Sequence, residues 1–217
     1  MAVSHPPAPP AEALRAAHDA LAAGRLVVYP TETFYGIGAR ALDAAAVAAL
    51  ARVKGRAGES GKPIALVLAD RAMVARVATH VPRPAALLME HFWPGPLTLV
   101  LPARPDLPPE LTAGSGRIGV RVSSHPVARG LAAALGEPIT ATSANRAGAP
   151  PACDVATARA ALGDEVAVYL DGGTVAGGSG STVLVVDDDA GQIVRAGAVS
   201  VAALRRVLGD FRLATPS

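Results

Sequence analysis

Apolar residues recur at helical spacing in four stretches of the chain, Ala11 to Ala23, Ala44 to Val53, Pro126 to Leu135 and Val201 to Leu208, and the spacing predicts a helix over each. Asp43 and Ser200 directly precede two of them, where a short oxygen-bearing side chain accepts hydrogen bonds from the unpaired N–H groups of a first helical turn. Short β-rich runs alternate with these helices: Leu26 to Tyr29, Ile64 to Leu68, Leu97 to Leu101, Ile118 to Val122, Ile139 to Ala141, Val166 to Tyr169, Thr182 to Val186 and Ile193 to Arg195. Several of these runs are apolar on both faces, which requires helices over a central sheet. The expected class is therefore α/β with a mixed sheet.

A chain of 217 residues, 51% hydrophobic and 18% charged, fits one compact domain with a substantial core. The longest apolar runs, Leu97 to Leu101 and Ile64 to Ala69, are strand-sized, so no membrane span is expected. Residues 1–10 are proline-rich without an apolar core and read as a disordered tail, not a signal peptide. The domain is expected over 11–210, with a second tail over 211–217. One cysteine, Cys153, makes neither an internal disulfide nor a cysteine-based zinc site, which points to a reducing compartment, the cytoplasm. A net charge of +2 is small for a nucleic-acid binder and leaves room only for a local basic patch.

Of the 20 Lys plus Arg residues only Lys54 and Lys62 are lysine, and Asn145 is the single asparagine. In a chain so rich in Arg, Ala, Gly and Pro, these survivors are candidates for positions where chemistry requires them. Familiar motifs do not claim them. Gly55 to Lys62 has five residues, not four, between its glycines, and Pro63 replaces the hydroxyl residue of a phosphate-binding P-loop. Gly36-Ile37-Gly38 follows the strand ending at Tyr29 too late for a dinucleotide fingerprint. The five histidines are scattered, which gives no metal site, Ser143 lacks a nucleophile elbow and Cys153 lacks an evident histidine partner.

What remains is a set of polar constellations. Tyr29-Pro30-Thr31-Glu32-Thr33-Phe34-Tyr35-Gly36 is a hydroxyl-rich loop at a strand's carboxyl end, where α/β sheets place ligands; Thr31 and Glu32 could equally cap a turn. Lys54, Arg56 and Lys62 put three cations within nine positions, suited either to a polyphosphate or to a solvated basic loop. Ser143 and Asn145, one residue apart on an extended segment, point the same way and can share a ligand, unless they form an Asx turn. Arg121, embedded among valines, needs an anionic partner, either a protein carboxylate or a substrate carboxylate. The glycine-dense stretch Asp171 to Gly180 reads as a mobile or tightly turned loop between strands, or as a plain linker.

Together these pieces resemble the Sua5/YciO/YrdC family. The matching residues are Tyr29-Pro-Thr-Glu-Thr to Gly36, Lys54-Gly-Arg56, Pro94-Gly-Pro-Leu-Thr98, Val120-Arg-Val122, Ser143-Ala-Asn145, Ser181-Thr-Val183 and Arg195, in family order. The resemblance implies a single twisted mixed sheet with flanking helices around a concave basic site. It implies synthesis of threonylcarbamoyl-AMP and pyrophosphate from L-threonine, bicarbonate and ATP, with Mg2+ accompanying the ATP, for a tRNA modification completed by downstream tRNA-modifying proteins. In that scheme Lys54 and Arg56 are catalytic and neutralise the triphosphate with Lys62; Ser143, Asn145 and Arg195 hold the nucleotide; and Thr33, Arg121 and Ser181 hold threonine.

Departures fall at Arg117, where a threonine is common, at Arg146, at Cys153 and at Val67. The chain resembles the short bacterial form. Two other readings use the same residues: a module that binds tRNA or double-stranded RNA through Lys54, Arg56 and Arg117, and a relative that makes a carbamoyl-adenylate for another acceptor. Aromatic residues form 3% of the chain, too few for a base-stacking platform.

Overall fold

The computed structural model describes residues 9–55 and 63–215. Its helices are α1 (Ala11–Ala22), α2 (Ala44–Val53), α3 (Arg83–Phe92), α4 (Pro109–Thr112), α5 (Pro126–Leu135), α6 (Val155–Leu162) and α7 (Val201–Leu208). Four coincide with the predicted stretches. The other three lack a clean stripe: α4 is a single turn, α6 buries only Ala158 and Leu162, and α3 passes through an apolar run that blurs its inward face of Ala85, Leu88 and Met89.

The strands are β1 (Val27–Tyr29), β2 (Gly36–Gly38), β3 (Leu66–Val67), β4 (Leu97–Pro102), β5 (Arg117–Arg121), β6 (Ile139–Thr140), β7 (Thr142–Ser143), β8 (Val168–Tyr169), β9 (Thr182–Val186), β10 (Ala190–Arg195) and β11 (Arg212–Ala214). The α/β class is as expected, with the strands divided over two mixed sheets, ordered β7-β2-β1-β8 and β11-β10-β9-β4-β5-β3-β6. One segment serves both. Residues 139–140 pair antiparallel with β3 and residues 142–143 pair antiparallel with β2, while the Ala141 N–H between them donates to the Ala65 carbonyl at 2.7 Å. Within the stretch expected as a tail, Arg212–Ala214 forms an edge strand, β11, paired in parallel with β10.

Local chemistry accounts for the elements around the cleft between the sheets. The Asp43 carboxylate accepts from the N–H groups of Ala45 and Ala46 at 3.0 and 3.1 Å and starts α2. Val47 and Leu50 then form its buried stripe, each contributing about 1.5–3 kcal/mol by leaving water. Lys54, four residues beyond Leu50, leaves the helix on that same inward face and is 1% exposed. A separate cluster, with Leu21 of α1 and Leu131 of α5 over Val27 and Ile139, covers the opposite side.

Gly36 and Gly38 are explained by the ring of Tyr29 on the neighbouring strand. A Cβ at Gly38 would lie 2.8 Å from Tyr29 Cε1, and one at Gly36 3.2 Å from its Cζ. Tyr29 is fully buried; its hydroxyl donates to the Thr140 carbonyl at 2.7 Å, and burial pushes its pKa up. The Gly-Ile-Gly pattern thus seats an aromatic ring, and a ring so placed ties the segment shared by the two sheets to β1.

Candidate active site

A cavity of about 940 Å3 opens between the two sheets. Its floor follows from strand alternation: Thr98 and Val100 on β4, Arg117, Gly119 and Arg121 on β5, and Val183 and Val185 on β9 all project to one face. Thr31 and Thr33 approach from the loop after β1, Thr142 and Ser143 from β7, residues 178–181 from the glycine-dense loop, and Val194 and Arg195 from β10.

Arg121 and Glu32 form a buried ion pair, Nη1 to Oε1 at 2.7 Å, with side chains 8% and 10% exposed. The Ser123 hydroxyl donates to the other Glu32 oxygen. The partner demanded by a strand-embedded arginine is therefore a protein carboxylate, while Arg121 itself still lines the cavity. Thr31 Oγ1 accepts from the N–H groups of Thr33 and Phe34, each at 3.3 Å, and donates to the Phe34 carbonyl at 2.7 Å, so the loop that supplies Glu32 is held by a side-chain turn.

Beside this pair, Arg195 donates to the Ser181 carbonyl at 3.2 and 2.9 Å and to its hydroxyl at 3.0 Å, and Ser181 Oγ is 2.9 Å from Thr98 Oγ1. Burial lowers the Arg195 pKa, and the Arg121 charge lowers it further. Both guanidinium groups line the cavity, in a partly desolvated space.

The third constellation is arranged differently. Lys54 Nζ donates to the Ser143 carbonyl at 2.8 Å, to Asn145 Oδ1 at 2.9 Å and to the Asn145 carbonyl. Ser143 Oγ donates to Asn145 Oδ1 at 2.5 Å, and Asn145 Nδ2 to the Ala149 carbonyl. Ser143 lines the cavity, whereas Lys54 and Asn145 are buried and bond oxygens of this loop. Of the remaining sequence candidates, Thr33, Arg121, Ser181 and Arg195 line the cavity, and Arg56 and Lys62 lie outside the described residues.

Among the departures, Arg117 lines the cavity with Nη2 2.8 Å from Asp187, whereas Val67 is core, Arg146 pairs with Glu165 on the surface, and the Cys153 sulfur packs against Gly177. Sequence reasoning missed Glu32, Ser123 and Thr98. Glu32 had a signal: it is the one acid in the loop facing an arginine that required a carboxylate.

Fold and cavity together define an α/β domain that encloses a cavity lined by arginines and hydroxyls between two sheets. The family model for Sua5, YciO and YrdC proteins, described as telomere recombination, matches residues 19–197, and the chain belongs to that family. A Mycobacterium leprae relative is 41% identical over 92% of this chain and 89% of its own length. The threonylcarbamoyl-AMP synthase of Bacillus subtilis is 36% identical over 87% of this chain, which spans 54% of that protein. Pyrococcus abyssi Sua5, solved in complex with L-threonine, superposes with a TM-score of 0.86 at 33% identity, covering 92% of this chain and 58% of its own.

Proposed function

We propose that this chain is an L-threonylcarbamoyladenylate synthase, a nucleotidyltransferase that joins L-threonine, bicarbonate and ATP into threonylcarbamoyl-AMP and releases pyrophosphate. The observation that carries the reading is the cavity in which Arg121 and Arg195 meet the hydroxyls of Thr33, Thr98 and Ser181 beside Ser143. Arg121 would pair the threonine carboxylate, with Thr33 and Ser181 on the rest of the amino acid. Ser143 and Arg195 would hold the nucleotide, with Lys54 and Asn145 shaping the loop that presents Ser143. Arg56 and Lys62 are proposed for the polyphosphate.

Chemistry supports this assignment of roles. In the reaction a carbamate oxygen forms a bond to the α-phosphorus while the bond to the pyrophosphate oxygen breaks, bringing anions together without need of a protein nucleophile. Fixed cations and oriented hydroxyls are what such a step requires. Among the described residues no group of three or more His, Cys, Asp or Glu could hold a metal ion. In the proposed reaction Mg2+ would accompany ATP and offset phosphate charge.

The product would be passed to downstream tRNA-modifying proteins, and we place the protein in the cytoplasm. No helix of the described residues is long and apolar enough to cross a membrane. The test is pyrophosphate release from ATP with magnesium present, omitting threonine or bicarbonate in turn. Release that requires both supports the proposal, and no release under complete conditions would sink it.

A further inference from the structure

We propose that Glu32 and Ser123 are positioning residues for the carboxylate site: they fix the guanidinium of Arg121 so that the rest of its donor fork addresses the carboxylate of a bound amino acid. The inference rests on the threonine reading above and adds two residues to it.

The geometry restrains the Glu32 carboxylate at both oxygens. Oε1 accepts from Arg121 Nη1 at 2.7 Å, and Oε2 accepts from the Ser123 hydroxyl. Ser123 is itself fully buried, and its oxygen accepts from the His125 N–H at 3.1 Å, which fixes the hydroxyl's direction. The chain of contacts therefore runs from the start of α5 through Ser123 and Glu32 to Arg121. Among the described residues Glu32 is the one acceptor that Arg121 bonds, although guanidinium carries five donors.

Stability alone is a weak account of such a pair, because desolvation offsets most of the attraction between buried charges. An oriented donor is a better one: Arg121 lines the cavity and Glu32 does not.

The sign of one measurement separates positioning from simple charge balance. If Glu32 were only a counter-ion, Glu32→Gln would remove a negative charge near the site and tighten carboxylate binding. Positioning predicts the reverse.

The experiment titrates L-threonine and L-threoninamide by calorimetry into the unmodified protein, Glu32→Gln and Ser123→Ala. The expected result is a threonine Kd raised about tenfold or more in Glu32→Gln, which loses the ionic partner of Arg121, and roughly threefold in Ser123→Ala, which keeps the ion pair and loses one of its restraints. Threoninamide, lacking the carboxylate, should change less than about twofold, so the preference for acid over amide collapses; general loosening of the fold would weaken both ligands together. If Glu32→Gln does not fold, Ser123→Ala decides alone. An unchanged preference, or tighter threonine binding, overturns the inference. No threonine binding by the unmodified protein overturns the underlying reading and this inference with it.

Discussion

Arg121 and Lys54 are both buried cations, at 7% and 1% exposure, and they satisfy that burial in opposite ways. Arg121 is held through one nitrogen by a carboxylate and keeps the rest of a planar fork at the cavity. Lys54, a compact ammonium with three donors, bonds three oxygens of residues 143 and 145. The first arrangement leaves donors at the cavity; the second ties an ammonium to the oxygens of one loop. A cation at a site can act on its substrate or on the loop that meets the substrate, and the partner atoms distinguish the two.

The strongest way to break this comparison is Arg121→Ala. It leaves Glu32 a buried, unpaired carboxylate, which costs about 3–5 kcal/mol of folding stability. It also removes the proposed carboxylate partner, so threonine affinity should fall more than about a hundredfold while nucleotide affinity changes little. Chemical denaturation and separate titrations of the two ligands check both parts. Equal loss of both affinities would show that Arg121 shapes the whole cavity.

Lys54→Met comes next. The methionine fills similar volume without donors and strands buried carbonyls, a loss of about 1–3 kcal/mol. The expected signature is weaker nucleotide binding with threonine binding retained. Lys54→Arg should not rescue it, because a planar fork cannot reproduce the convergent geometry of an ammonium among three oxygens. Recovery by arginine would mean that positive charge alone matters and that the contrast with Arg121 is false.

How far the sequence revealed this contrast depended on the kind of signal. Helices α1, α2, α5 and α7 were legible because each has a repeated inward stripe or a capping residue. For the Ser143-Ala144-Asn145 segment, spacing alone left open two side chains offered to one ligand or an Asx turn. In the structure they bond each other, since Lys54, arriving from α2, converges on the same oxygens. That convergence is a tertiary fact joining residues 91 positions apart, which no local pattern carries. The same holds for Glu32 and Arg121, separated by 89 positions. The Gly36-Ile37-Gly38 strand was unreadable for another reason, because its glycines answer to the Tyr29 ring and not to a strand pattern of their own.

A milder probe is Ser181→Ala. The hydroxyl bonds both Arg195 and Thr98, but Arg195 keeps the Ser181 carbonyl, so the expected loss is about 1 kcal/mol. Nucleotide and threonine affinities should both weaken by several-fold, because this hydroxyl sits where the two proposed subsites meet. Weakening of one alone would assign Ser181 to that subsite and sharpen the division between them.

The smallest effect is expected at the cavity's third arginine. Arg117 pairs with Asp187 at 2.8 Å, but their side chains are 34% and 52% exposed, in contrast to Arg121 and Glu32. Solvent screening limits such a pair to about 0–1 kcal/mol, so Asp187→Ala should shift the denaturation midpoint only slightly. Its value lies in what it releases. Among the described residues Arg117 Nη1 is buried without a hydrogen-bond partner, and loss of Asp187 removes the only carboxylate that Arg117 pairs with there. A freed guanidinium on the cavity floor should then strengthen nucleotide binding by a few-fold at low salt, an effect that fades as salt rises. If affinity instead falls, Asp187 is orienting Arg117 for the nucleotide, and the exposed pair performs the service that the buried one performs for threonine.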